Sequence, residues 1–362
     1  MSMNSNKIVV GLSGGVDSAT TAYLLKKQGH DLLGIYMRNW HQQGSQLCPI
    51  EDDLKDAKAC ADHLGIPFEV VDFSKNYMQQ VFEQFLFDLS HGLTPNPDVL
   101  CNQYVKFDAF LKHITQTYNA TLATGHYARL IHDQNGAHLM TAKDPDKDQT
   151  YFLCRLSKNQ LAQSHFPLGN LLKSEVRQIA DHIQLPVSHK KDSTGICFIG
   201  ERNFNQFITQ YLLDTPGPVV DIDTNQQIAT HHGLIHYTIG QRKGLTIPAK
   251  NEHTKPWFVI KKNPSNQTLY VCQGDNHPAL YQMTLKAKDL RLIHQHDVNK
   301  LKIKARIRHR QPLQNATIHS IGPQSVTVKF DTAQRAITPG QYIAFYLENE
   351  LIGSAIIEGP HE

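Results

Sequence analysis

Eight residues near the N-terminus have the types and order needed to hold a phosphate. Gly11-Leu12-Ser13-Gly14-Gly15-Val16-Asp17-Ser18 follows Lys7-Ile8-Val9-Val10, a buried-strand pattern, and opens a helical one. Glycines let the backbone turn tightly and approach a ligand closely. The amides of the helix N-terminus then face the ligand, and the helix dipole adds attraction for an anion. Ser13 and Ser18 can add hydroxyl donors. No Lys follows the glycines, so this is not a Walker A loop, and the spacing is not G-x-G-x-x-G. The structural alternative is a tight strand–helix turn with an N-capping serine.

Two of the six cysteines stand in unusual surroundings. Cys101 ends Thr94-Pro95-Asn96-Pro97-Asp98-Val99-Leu100-Cys101, where two prolines and two Asx residues predict an ordered loop rather than a helix interior. Asp98 lies three residues before the thiol, so a turn can bring the two together. Cys197 sits in Asp192-Ser193-Thr194-Gly195-Ile196-Cys197-Phe198-Ile199-Gly200, a second Gly-bounded loop. Cys60 lies beside a helix's apolar face, Cys154 and Cys272 fall in strand-like runs, and Cys48 precedes a proline. None forms a CxxC pair, which argues against a zinc site or a disulfide framework. A lone cysteine is often just a small buried hydrophobe. An electrophile activated through the phosphate site would change that, because it needs a nucleophile.

The elements that must position these residues follow from periodicity. Strand patterns cover Lys7–Val10, Asp31–Met37, Phe68–Asp72 and a run ending at Thr124-Gly125-His126. Helical patterns cover Ala19–Gln28, Glu51–Leu64, Asn76–Leu89, Tyr104–Tyr118, Lys173–Gln184 and Glu201–Leu213, and Leu130–Thr141 reads as a hairpin. Strands alternating with helices predict an α/β domain, a Rossmann-like parallel sheet with ligands beyond the carboxyl ends of its strands. After Thr215-Pro216-Gly217-Pro218 the texture changes to short strands between Gly, Asn and Pro turns. This predicts three domains: 1–210 with the phosphate loop, 211–280 β-rich, and 281–362 a C-terminal β-barrel.

The Ser-Gly-Gly-Val-Asp-Ser run resembles the PP-loop of ATP pyrophosphatases, which split ATP and pass an adenylate to a carbonyl oxygen. The order SGGVDS, NPDVLCN, KDQTYFL, STGICFIGER, TIGQRKGL is similar to that of the bacterial tRNA-specific 2-thiouridylases, the MnmA family, and the likeness covers nearly the whole chain. The resemblance implies that ATP, arriving with Mg2+, adenylates the 2-oxygen of a wobble uridine in tRNA. Gly11 to Ser18, with Met37 and Gly125, would hold the nucleotide. Cys197 would carry persulfide sulfur received from a sulfur-donor or sulfur-relay protein. Cys101 would be the partner nucleophile, leaving a Cys101–Cys197 disulfide in one route. Asp98 would act as acid/base or hold the base, with Asn96 and Pro97 in contact with it. His126, Lys147, Asp148, Gln149, Arg308, His309 and Gln341 would touch tRNA. Each has a plain reading as well: Met37 as core filler, Asp98 as an Asx turn, His126 as a core histidine. A rival use of Asp98, Cys101 and Cys197 is to ligate an iron–sulfur cluster with one iron left open for sulfide.

Charge distribution fits a polyanionic partner. The whole chain carries +3, but Tyr281–Arg310 holds nine Lys or Arg against Asp289 and Asp297. Within it Lys302, Lys304, Arg306, Arg308 and Arg310 alternate with Ile303, Ala305, Ile307 and His309, which on one strand puts five cations on one face. The sequence around the 21 histidines carries no recognised metal-binding motif, so no metal site is expected. The short polar N-terminus, and the lack of any run near the ~18 apolar residues of a membrane span, predict a soluble cytoplasmic protein. Two rival readings stay open: an amide-forming PP-loop synthetase, which needs neither cysteine loop, and a non-catalytic tRNA-binding protein that uses ATP as a ligand.

Overall fold

The computed structural model describes residues 7–41, 49–192, 204–245, 247, 255–322 and 324–361. Cys48, Cys197 and the rest of the 193–203 segment lie outside the described residues.

Five parallel strands form the first sheet: β1 (Lys7–Gly11), β2 (Asp31–Arg38), β3 (Phe68–Asp72), β4 (Thr121–Ala123) and β7 (Ser164–His165), in the order β3-β2-β1-β4-β7. Ile8 and Val10 face one layer of helices, with Ala57, Ala61 and Leu64, while Val9 faces another with Phe107 and Phe110. Both faces are therefore covered, which explains why β1 reads as an unbroken apolar run. Helix α1 (Val16–Lys27) starts directly after the Gly/Ser loop, and Gly29 ends it in the left-handed region at φ +84°. Helix α2 spans Pro49–Leu64.

The helix through Cys101 is longer than the sequence suggests. It runs without a break through Pro97–Leu100, Cys101–Phe110 and Leu111–Tyr118, with the middle stretch wound as a π-helix. The expected loop around Cys101 ends at Asn96. That residue caps the helix, its side chain accepting from Val99 N at 3.2 Å, and Pro97 takes the first helical position. Asn-Pro-Asp signals a turn, but it is equally a helix start, with N-cap, N1 proline and a first-turn acid.

The second sheet has the order β10-β11-β8-β9, built from β8 (Gly217–Asp221), β9 (Gln227–His231), β10 (Trp257–Asn263) and β11 (Thr268–Gln273). Its small core holds Val219, Val259, Leu269 and Val271. The last six strands are β12 (Tyr281–Leu292), β13 (Lys302–Arg306), β14 (Gln314–Ile321), β15 (Ser325–Arg335), β16 (Tyr342–Leu347) and β17 (Glu350–Pro360). They run β12-β15-β14-β13-β16-β17, and β12 also pairs with β17, so the sheet closes into a barrel. Closure removes exposed edges. The hairpin of β5 (Arg129–Asp133) and β6 (Gly136–Met140) leaves the first domain and pairs with β17, Leu139 opposite Leu351.

Two expectations need correction. Cys154 follows a short 3-10 turn, Thr150–Leu153, instead of lying in a strand. The row of five cations does not form either, because β13 ends at Arg306. Lys302 and Lys304 are exposed, opposite inward-facing Ile303 and Ala305. Arg306 is buried under the first domain, and Arg308 turns back to donate to the carbonyls of Arg335 and Ala336. No helix among the described residues is long and apolar enough to cross a membrane.

Candidate active site

The phosphate loop is built by its own hydrogen bonds. Leu12 N donates to Ile35 O at 2.9 Å, extending the β1–β2 ladder by one residue. Ser13 N donates to Ser18 Oγ at 3.1 Å, and the two hydroxyls lie 3.2 Å apart. Gly14 has φ +76°, and a Cβ there would fall 2.2 Å from Asp53 O, so both conformation and space require glycine. Gly15 is the N-cap of α1 and brings no side-chain acceptor, which leaves the first amides of the helix to the loop mouth. Gly125 lies on the backbone of α1: a Cβ there would be 2.9 Å from Ser18 N. Met37 is half-buried on β2 beside the core.

A charged network surrounds this loop, and of its basic residues only Lys147 was singled out from the sequence. Lys173 Nζ bonds both Asp17 carboxylate oxygens, at 2.7 and 2.9 Å, and Tyr127 OH donates to Asp17 at 2.8 Å. Lys173 also pairs with Asp192 at 2.8 Å, as do Lys147 at 2.8 Å and Arg177 at 2.7 Å. Burial pushes the Asp192 carboxyl up, but the bonds from Lys147 and Lys173 outweigh it and hold the group well below the usual carboxylate range. Lys190 bonds Gly14 O at 3.1 Å and pairs with Asp53 at 2.7 Å and Asp56 at 2.5 Å. Three lysines and an arginine thus gather where phosphate oxygens would enter.

The Cys101 helix packs directly on the loop. A Cβ added to Gly11 would meet the Phe110 ring at 3.5 Å. Cys101 is 2% exposed, and Asp98 stands one turn before it on the same helix. Burial pushes the Asp98 carboxyl up, against the opposing charge of Lys106. Asn102 is buried and donates to Phe152 O at 3.0 Å, fixing the helix below the thiol. Burial pushes the thiols of Cys60, Cys154 and Cys272 up to about 11, where they stay protonated. Cys197 lies outside the described residues, so Asp98 and Cys101 are the described part of the suggested cluster ligands.

The residues expected to touch tRNA divide into several environments. His126 follows Gly125, shares a 2.8 Å hydrogen bond with Thr124 Oγ1, and lies 5.7 Å from the Phe107 ring. Burial, helped by Lys106, holds its imidazole well below the ordinary value, so it is neutral. Gln149 Oε1 accepts from Tyr127 N at 2.9 Å. Gln341 reaches from the barrel and holds the start of the Cys101 helix. Its Nε2 donates to Thr94 O at 2.9 Å and Pro95 O at 3.2 Å, and its Oε1 accepts from Asn96 Nδ2 at 3.3 Å and Tyr151 OH at 3.2 Å. His309 lies 4.4 Å from Phe152, and burial, then Arg310, lowers it to about 4. Asp148 is 3% exposed and pairs with Arg306 at 2.9 Å, which places it inside the domain junction rather than on an open RNA surface.

Comparison with known proteins covers all three domains. Family models described as "tRNA methyl transferase HUP domain", "tRNA methyl transferase PRC-barrel domain" and "Aminomethyltransferase beta-barrel domain" match residues 6–201, 205–273 and 282–357. The tRNA-specific 2-thiouridylase MnmA of Streptococcus agalactiae is 46% identical over 99% of this chain and 97% of its own length. The same enzyme of Pectobacterium atrosepticum is 44% identical over 99% of both chains. Such identity, sustained from the phosphate loop to the end of the barrel, makes the chain a member of the MnmA family of tRNA-specific 2-thiouridylases.

Proposed function

We propose that this protein replaces the 2-oxygen of a wobble uridine in tRNA with sulfur, using ATP. The observation that supports the reading best is the contact of Phe110 with Gly11 of the phosphate loop, because the helix that carries Phe110 also carries Asp98 and Cys101 and so links the proposed thiol to the proposed nucleotide site. The uridine O2 attacks the α-phosphorus of ATP, and pyrophosphate leaves toward the loop amides and Lys173. Mg2+ bound with the nucleotide would neutralise phosphate charge. A persulfide on Cys197, filled by a sulfur-donor protein, attacks C2, and AMP departs as the C2–O bond breaks. Cys101 then attacks the Cys197 sulfur. The S–S bond to the transferred sulfur breaks, its electron pair completes the thiocarbonyl, and a Cys101–Cys197 disulfide remains for an external thiol to reduce. Asp98 moves the proton at Cys101 or at the base, and Gln341 and Asn96 hold the helix that carries both.

Incubating the protein with tRNA, ATP and a persulfide source should yield 2-thiouridine nucleosides by mass spectrometry, with one AMP released per sulfur inserted. AMP release without tRNA, or with ammonia as the acceptor, would instead support an amide-forming synthetase. The exposed Lys302 and Lys304 are proposed to meet RNA phosphates. Their double replacement by Ala should weaken tRNA binding and lower the log–log salt slope by about one per contact. An unchanged slope would remove this strand from the RNA surface.

A further inference from the structure

We propose that His138, His294 and Glu350 form a binding site for a divalent transition-metal ion of the zinc class, which ties the β5–β6 hairpin to the barrel. The three residues come from distant parts of the chain: β6, the segment after β12, and β17. One ligand atom from each lies within 4.8 Å of the others. All three are half-buried, so a metal would be shielded without being sealed from entry.

The hydrogen bonds around the histidines prepare them as ligands. Metal-binding histidines commonly donate the second ring N–H to a carboxylate or a backbone carbonyl, which fixes the tautomer and raises ligand basicity. His138 Nε2 lies 3.0 Å from Asp133 Oδ1, and His294 Nε2 lies 2.9 Å from Ala137 O. With its Nε2 donating, His294 Nδ1 carries a lone pair, whereas His138 Nδ1 holds a proton toward Glu350 that a metal ion must displace. His138 Nδ1 faces Glu350 Oε1 at 2.7 Å, and the two imidazoles lie face to face at 4.4 Å. Once that proton has left, two imidazoles and one carboxylate make a zinc ligand set, with water in the fourth position. His296 borders the cluster, its ring 6.4 Å from that of His294, and its Nε2 is buried without a hydrogen-bond partner. Charge also balances: Glu350 and Asp133 together neutralise a dication. Magnesium prefers oxygen ligands and is not selected by two imidazoles.

The site joins functional parts. The hairpin begins four residues after Gly125, and β6 pairs with β17 beside Glu350. A bound ion would therefore stiffen the connection between the nucleotide domain and the barrel.

The full-length protein, treated with chelator and moved into chelator-free buffer, is to be titrated with Zn2+ by calorimetry. One equivalent should bind, and H294A and E350Q should each weaken that event by at least about tenfold. Co2+ should give the d–d absorption of a tetrahedral site in the wild type and lose it in both variants. Circular dichroism checks folding, and H294Q replaces H294A if the latter does not fold. Absence of stoichiometric binding overturns the proposal, as does equal binding in wild type and variants, which would place the ion on other histidines or cysteines.

Discussion

Cys101→Ser is expected to lower thiouridine formation by at least about a thousandfold, the usual scale for removing a nucleophile that acts in a unit with its partners. The tRNA-dependent release of pyrophosphate should stay near the wild-type rate. The two halves separate because the loop and the thiol are built by different elements. In the proposed mechanism adenylation needs Gly11–Ser18 and the Lys173–Asp17 network, which belong to other elements than the helix that carries Cys101. Serine is nearly isosteric with cysteine, and the site is 2% exposed, so a small packing change is expected rather than unfolding. The hydroxyl is a far weaker nucleophile toward sulfur than a thiolate near a helix N-terminus. Pyrophosphate release and nucleoside mass spectrometry on the same reaction read the two steps. Normal thiolation by the variant would remove Cys101 from the mechanism. Loss of both signals in a folded variant would mean that the thiol supports adenylation instead.

What the sequence revealed depends on how local each signal is. The phosphate loop is contiguous, and its strand, turn and helix each carry their own pattern, so Gly11–Ser18 was legible as a unit. The helix that carries Cys101 was half legible. Tyr104–Tyr118 shows the helical period, but Asn96-Pro97-Asp98 satisfies the rules for a turn and for a helix start alike, and only packing on Phe110's side of the sheet decides between them. Lys173 and Lys190 were not legible at all. Their carboxylate partners lie 156 residues away for Asp17 and 137 for Asp53, and an isolated surface-type lysine has no pattern that points so far. The His138–His294–Glu350 group escaped for the same reason, since ligand spacing in sequence is informative only when one element supplies two ligands. The basic run failed differently. Alternation correctly placed Lys302 and Lys304 outward, but it cannot report that the outer face is covered at Arg306 by another domain.

Asp148→Ala is expected to destabilise the protein by about 3–5 kcal/mol, because it leaves Arg306 charged, buried and alone. Arg306 and Asp148 are among the most enclosed charges described, with side chains 7% and 3% exposed and a 2.9 Å contact. Each is further committed. Asp148 accepts from Ala142 N at 2.9 Å and Thr150 Oγ1 at 2.8 Å, and Arg306 lies 5.0 Å from the Tyr346 ring centroid. The pair therefore fastens the 142–150 segment, which carries Lys147 and Gln149, to the barrel. Removing both charges should do less harm than removing one. An Asp148→Ala/Arg306→Met double variant is expected to regain most of the lost stability, since a buried ion pair often exchanges for apolar packing at little cost. Thermal melting of the single and double variants, alongside tRNA binding, tests this directly. If Asp148 instead works by touching RNA, the single variant will melt like the wild type and lose tRNA affinity, and the double variant will lose more. If it works as a fastening, tRNA affinity will follow stability: lowered in Asp148→Ala and largely restored when Arg306 no longer carries a charge.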